Sequence, residues 1–157
     1  MCVSFYLGDN MDEKYMKIAL KQAKKSLKTD DIPIGAVIVK NNRIISKACN
    51  KKEKLKISTK HAEIIAIEKA CKRLKTWHLN DCILYTTLEP CEMCTGAIIQ
   101  SRISKLVYAA SNEKFGYIES INDINHNKNN HKFEIVKGIY KEESIELLKE
   151  FFKEKRK

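Results

Sequence analysis

The sequence predicts an α/β domain with helices packed on the faces of a partly parallel sheet. Three observations carry that expectation. The chain has 157 residues, which suits one domain with a substantial core. Two strand-like runs flank the dipeptide Asn41-Asn42, a two-residue turn that makes them an antiparallel hairpin. Beyond the hairpin, helix and strand patterns alternate, and strand–helix–strand units pair their strands in parallel.

Taken in order, Asp12 to Lys28 places Tyr15, Ile18, Ala19, Ala23 and Leu27 at helical spacing, and Pro33 stops the helix. Ile34 to Lys40 and Arg43 to Cys49 are the hairpin strands, rich in β-branched residues. Asn50 to Thr59 is a polar, lysine-rich connection. His61 to Leu74 returns to helical spacing, and Asp81 to Leu88 alternates into a strand. Pro90 suits the start of a helix running to about Ser101. Lys105 to Ala110 and Phe133 to Lys137 are strands, the latter ended by Gly138, and Lys141 to Lys157 forms a last, basic helix. Ser111 to Lys132 is too long a connection to be idle in a compact domain. It is either a substrate-facing loop or locally disordered. Residues 1–10 read as a flexible leader, with Met11 an alternative start. No repeat or linker divides 1–157, so the chain is expected to be a single domain.

Apolar residues make up 43% and charged residues 32%, the balance of a soluble globular protein. The formal net charge of +10 favours polyanions such as nucleic acid, although a lysine-rich solvated surface gives the same value. No stretch approaches the ~20 apolar residues of a membrane helix, so no membrane role is expected. The apolar run Val3 to Leu7 is too short for an export signal and no basic residue precedes it. The six cysteines are therefore expected to stay reduced in the cytoplasm, which favours metal ligation over disulfides.

His61-Ala62-Glu63 and, about 30 residues later, Pro90-Cys91-Glu92-Met93-Cys94 carry the chemistry. One imidazole and two thiolates suit Zn2+, one ion per chain, and leave the fourth tetrahedral position open for water. Cys91 and Cys94, at i and i+3, share a helix face near its N-terminus, where the helix dipole favours thiolate. His61 starts the other helix. Two helix N-termini meeting at a sheet edge would unite the three ligands. Glu63, beside the open position, suits a general base that moves a proton from water to a leaving amine. The signature is that of zinc nucleobase deaminases. The competing possibility is a closed structural zinc, with Cys71, Cys82 or His78 as fourth ligand.

On these motifs the chain resembles the bacterial tRNA-specific adenosine deaminases of the cytidine deaminase-like superfamily. The resemblance runs from about Met11 nearly to the end. It includes Ile32-Pro33-Ile34-Gly35-Ala36-Val37, Cys49-Asn50, Leu84-Tyr85-Thr86-Thr87-Leu88-Glu89-Pro90-Cys91-Glu92-Met93-Cys94, Ser101-Arg102-Ile103, Asn130-His131 and Phe151-Phe152. It implies a cytidine deaminase-like three-layer α-β-α sandwich with a five-stranded mixed sheet. The implied activity is conversion of adenosine to inosine at the wobble position of a tRNA anticodon stem-loop, by a homodimer. His61, Cys91 and Cys94 match the zinc ligands and Glu63 the proton shuttle. Asn50 matches a base-binding asparagine, Ala62 a pocket wall, Asn130 an anticodon contact and Arg156 an arginine near the RNA. Phe151 and Phe152, followed by Lys153, Lys155, Arg156 and Lys157, pair aromatic rings with cations as unstacked bases and phosphates require. The stripe Ile145, Leu148, Phe152 equally reads as core packing. The chain departs from the family pattern at Asn112, where aspartate is usual, at Glu113, where proline is common, and at Tyr117 to Glu119, where small residues are.

Two other readings follow from the residues: deamination of a free base or nucleoside, and a non-catalytic RNA-binding module with structural zinc.

Overall fold

The computed structural model of the chain describes residues 3–5 and 10–156. In chain order the elements are β1 (Val3–Phe5), α1 (Asn10–Lys25), a 3-10 turn (Ser26–Thr29), β2 (Gly35–Lys40), β3 (Arg43–Cys49) and the short α2 (Lys52–Leu55). There follow α3 (Ala62–Leu74), β4 (Cys82–Leu88), α4 (Glu92–Gln100), β5 (Lys105–Ala110), a 3-10 turn (Ile124–His126), β6 (Glu134–Lys137) and α5 (Lys141–Lys155).

One mixed sheet joins the strands in the order β1-β6-β5-β4-β2-β3. β4, β5 and β6 run parallel, and β2 is antiparallel to both β3 and β4. These five are the expected strands. The sixth, β1, pairs in parallel with β6, so Val3–Phe5 belongs to the sheet where a leader was expected. The rest of that leader, apart from Asn10, which opens α1, lies outside the described residues.

Asn41 and Asn42 both adopt positive φ, 50° and 59°, as a type I′ hairpin turn requires. Along β2, Ala36 and Ile38 face the core beneath α3 and α4, whereas Val37 and Val39 face Tyr15, Met16 and Ala19 of α1. Leu106 and Tyr108 of β5 alternate with Val107 and Ala109 in the same way. Helices therefore cover both sheet faces, and the molecule is a three-layer α-β-α sandwich. α5 packs over β4 and β5, anchored where the Ser144 hydroxyl donates to the Thr87 carbonyl.

Two boundaries differ from expectation. The first helix tightens into a 3-10 turn at Ser26, so Leu27 leaves the apolar stripe and is exposed. Asp30, in left-handed geometry, ends that turn before Pro33 is reached. The long connection after β5 is anchored by Ile118 and Ile124, both fully buried in the core.

The approach of α1 to the sheet depends on Gly35. A Cβ there would lie 1.9 Å from the Ala19 carbonyl oxygen and 2.5 Å from the Ala23 nitrogen, both backbone atoms of α1. Gly35→Ala must displace the helix. We expect it to cost about 3 kcal/mol, a fall in Tm of roughly 10 °C by calorimetry; an unchanged Tm would show that α1 is not seated this closely.

Candidate active site

The parallel pairing of β4 with β5, and the antiparallel approach of β2, place the end of β4, the end of β5, the start of β2 and the end of β3 at one sheet edge. His61, Glu63, Cys91 and Cys94 gather there. His61 is the N-cap residue of α3, and Cys91 the N-cap residue of α4. Pro90 precedes that cap instead of opening the helix as expected, and Cys94 lies in the first turn.

His61 Nδ1 lies 3.7 Å from Cys91 Sγ and 3.6 Å from Cys94 Sγ. Tetrahedral zinc with ordinary Zn–N and Zn–S bonds sets that separation at about 3.6 Å. The chain's own geometry thus fits the ion. Among the described residues the metal-capable group comprises these three. The other candidate ligands lie elsewhere: Cys82 is buried in the core, Cys71 packs against it, and His78 stacks on Trp77. Among the described residues no fourth protein ligand joins the three.

The neighbouring Cys94 holds the Cys91 thiol down to about 4, with His61 adding to the effect. The same pairing, together with burial, pushes Cys94 up. His61 is raised, chiefly by its contact with Cys91. Glu63, 4% exposed in the first turn of α3, is raised by burial. Its Oε1 has no hydrogen-bond partner among the described residues. An orphaned buried oxygen costs about 1–3 kcal/mol in a folded protein, and here it leaves a carboxyl oxygen with acceptor capacity unused.

His61, Glu63 and Cys91 open into a cavity of about 690 Å³, also walled by Ile32, Ile34, Asn50, Leu88, Leu148 and Phe152. Asn50 is fixed by its neighbours: its Nδ2 donates to the Ile32 carbonyl at 3.2 Å and its Oδ1 accepts from Lys52 N at 3.2 Å. Ala62 is buried in the core beneath α3. Phe151 and Phe152 divide. Phe151 is 8% exposed, while Phe152 is 41% exposed and lines the cavity. The stripe through Leu148 and Phe152 therefore faces the cavity instead of the core. Asn130 and Arg156 are exposed and do not line it.

Sequence reasoning missed Glu89 as a separate functional group. It is buried, and its Oε1 accepts from Asn112 N and the Ser120 hydroxyl. Its Oε2 accepts from the backbone N–H groups of Ile118, Glu119 and Ser120. Gly116 passes so close that a Cβ would meet the Glu89 carboxyl carbon at 2.3 Å. One carboxylate thereby shapes the loop whose residues Asn112 to Phe115 wall the cavity. The other end of the loop is tied where Lys137 and Ser111 both donate to Glu119. The available signal was an acidic residue placed directly after an apolar strand and just before Pro-Cys.

Glu89→Gln tests the latch. An amide nitrogen cannot accept, so either orientation strands at least one backbone N–H, that of Asn112 or those of Ile118 to Ser120. We expect a loss of about 2–4 kcal/mol in loop stability, with faster hydrogen exchange at residues 112 and 118–120 and zinc content unchanged. Unaltered exchange at those amides would show that the loop is held otherwise.

Comparison with known proteins agrees with this geometry. A profile of the MafB19-like deaminases matches residues 10–156. The tRNA-specific adenosine deaminase of Bacillus subtilis is 45% identical over 147 residues, covering 93% of this chain and 91% of that protein. That of Aquifex aeolicus is 46% identical over 147 residues, covering 92% and 95%. Among solved structures, one from a study of A-to-I editing by tRNA:A34 deaminases at the tRNA wobble position superposes with a TM-score of 0.83 at 38% identity, covering 86% of this chain and 99% of that one. A guanine deaminase from Bacillus subtilis gives 0.61 at 44% identity over 63% and 64% of the two chains. With the profile spanning all but the ends and such identity across nearly whole chains, this protein belongs to the MafB19-like deaminase family and, within it, groups with the tRNA-specific adenosine deaminases.

Proposed function

We propose that the protein hydrolyses the C6 amino group of adenosine at the wobble position of a tRNA anticodon, giving inosine and ammonia. The observation that carries the reaction is the buried, half-unpartnered Glu63 carboxyl beside the His61–Cys91–Cys94 trio. The choice of substrate is supported by the adenosine deaminases to which the chain is similar from end to end.

His61, Cys91 and Cys94 would hold one zinc ion per chain. When bound, the ion supplies Lewis acidity that lets water act as a nucleophile near neutral pH. Glu63 takes a proton from the attacking water and returns it to the departing nitrogen. Its raised affinity for protons, caused by burial, suits it to both halves of that transfer. As the C6–O bond forms and the C6–N bond breaks, one water is consumed and one ammonia leaves. Asn50, pinned by backbone contacts, presents a preoriented amide edge to the base. Phe152 and Phe115, both exposed at the cavity, offer stacking faces to a base lifted out of the loop and to its neighbour. The basic residues Lys153 and Arg156 continue that surface toward phosphates, and Asn130 is assigned to the RNA through the resemblance alone.

The same reading takes the working form as a homodimer in the cytoplasm. Leu55 and Ile57, apolar and exposed on the segment that follows cavity-lining Lys52, give a second copy a surface to cover. Among the described residues no helix is long and apolar enough to cross a membrane.

The test uses zinc-loaded protein and an anticodon stem-loop bearing a wobble adenosine. Glu63→Gln is expected to keep one zinc per chain and to lose at least about 100-fold in inosine formation. Guanine and cytidine are run alongside; turnover of either with none on RNA would give the cavity to a free base or nucleoside. Persistence of full activity in Glu63→Gln would remove the proton shuttle from this side chain.

A further inference from the structure

We propose that a lysine-walled pocket beside the catalytic cavity binds a backbone phosphodiester of the strand that carries the target base. This rests on the reading of the substrate as RNA. The pocket, about 320 Å³, lies where the end of β3 meets the end of α1 and the outer face of α3. Lys25, Lys28, Lys51, Lys54 and Lys69 line it, and no carboxylate does.

The acidic residues nearest these lysines in sequence are engaged elsewhere. Asp30 pairs with Lys155, Glu53 with Lys56 at 3.4 Å, and Glu68 with Lys60 at 3.0 Å. Asp31 is buried and accepts from the Thr29 hydroxyl and from the backbone N–H groups of Glu53 and Lys54. Among the described residues none of the five pocket lysines forms an ion pair. Lys69 donates to the Lys47 carbonyl at 3.0 Å. Burial and the nearby Lys51 and Lys25 hold its ammonium below the ordinary lysine range. Five like charges around one concavity repel at short range, and an anion between them relieves that repulsion.

Lysines also guard exposed sheet edges against unwanted pairing. That role accounts for Lys47 on the edge strand β3. It does not require a concave wall from which acids are missing.

Position selects a strand phosphate over other anions. Cys49 and Lys51 line the lysine pocket, while Asn50 between them lines the catalytic cavity. The two sites are thus separated by a single residue of chain. A nucleotide with its base beside Asn50 brings its own backbone past Lys51.

The experiment uses the zinc-loaded full chain and a labelled anticodon stem-loop, with affinity measured across salt and inosine measured separately. Lys25→Gln/Lys28→Gln and Lys51→Gln/Lys69→Gln remove pocket charges from the two sides of the pocket, the end of α1 with its 3-10 turn and the segment after β3 with α3. Lys14→Gln/Lys72→Gln removes the same charge elsewhere. Each pocket pair is expected to weaken binding about tenfold at low salt and to flatten the log Kd against log salt slope by up to about 0.7, the share of one phosphate, with the control pair moving far less. Equal losses in pocket and control pairs would overturn the proposal and leave the reaction untouched. Loss of inosine formation by the unmodified protein, with the binding difference intact, would do the reverse. Inorganic phosphate is titrated alone as a further arm. If it raises Tm in a way the pocket variants abolish while RNA affinity stays intact, the pocket takes free anions and the assignment to a strand fails.

Discussion

The arrangement depends on two helix N-termini meeting at one edge of the sheet. Each N-terminus carries unsatisfied backbone N–H groups and the positive end of a dipole. Placing His61 and Cys91 as the N-cap residues of α3 and α4 puts both sets of donors around the same small volume. That field favours thiolate at Cys91 and tolerates a buried carboxyl at Glu63. The meeting is a consequence of topology. Strand–helix–strand units with parallel strands return every strand-to-helix turn to the same edge. Because β2 is antiparallel to its neighbours, it brings Ile32, Ile34 and, through β3, Asn50 to that edge from the opposite direction. His61 with Glu63, Cys91 with Cys94, and Asn50 thus come from three separate segments without a long excursion of chain.

Much of this was legible in the residues because it rests on local rules. Asn41-Asn42 fixes the hairpin through backbone preference alone, and the helical spacing of Tyr15, Ile18, Ala19 and Ala23 needs no partner to be seen. What could not be read depends on tertiary competition. Leu27 continues the spacing, yet the chain tightens at Ser26 because the Ser26 hydroxyl donates to the Asn50 carbonyl, a contact 24 residues away. The polar connection after β5 resembled a free loop because its two anchors, Ile118 and Ile124, are isolated apolar residues with no periodicity. Val3–Phe5 is too short to declare itself without β6 beside it.

The site shows the same division. His61, Glu63, Cys91 and Cys94 were visible because metal chemistry constrains both residue type and spacing. Glu89 was not, because a carboxylate that accepts several backbone N–H groups needs no partner residue of recognisable type. Four of its five donors, at Asn112 and at Ile118 to Ser120, are main-chain N–H groups, the Ser120 hydroxyl being the fifth, so the latch itself leaves little trace in residue type. The backbone donors at Asn112, Ile118 and Glu119 hold the path of the loop without calling on the side chains of Asn112 and Glu113. The constraint falls on Gly116, where only the absence of a Cβ lets the chain pass the carboxylate.

Net charge was the least informative quantity, because +10 says nothing about where cations lack partners. The C-terminal helix makes the point. Consecutive residues on a helix lie about 100° apart, so Phe151 and Phe152 cannot both face the cavity, and the basic residues after them spread around the axis. Lys155 turns to Asp30 and lies 5.8 Å from the centre of the Phe151 ring. Both partners of that ion pair are substantially exposed, so its own contribution to stability is about 0–1 kcal/mol. Its consequence lies in what it occupies. By holding Asp30, Lys155 withdraws the one surface carboxylate that flanks Lys28 and Thr29 of the lysine pocket. A weak surface pair at the end of the last helix thereby leaves the cations after the first helix available to an external anion.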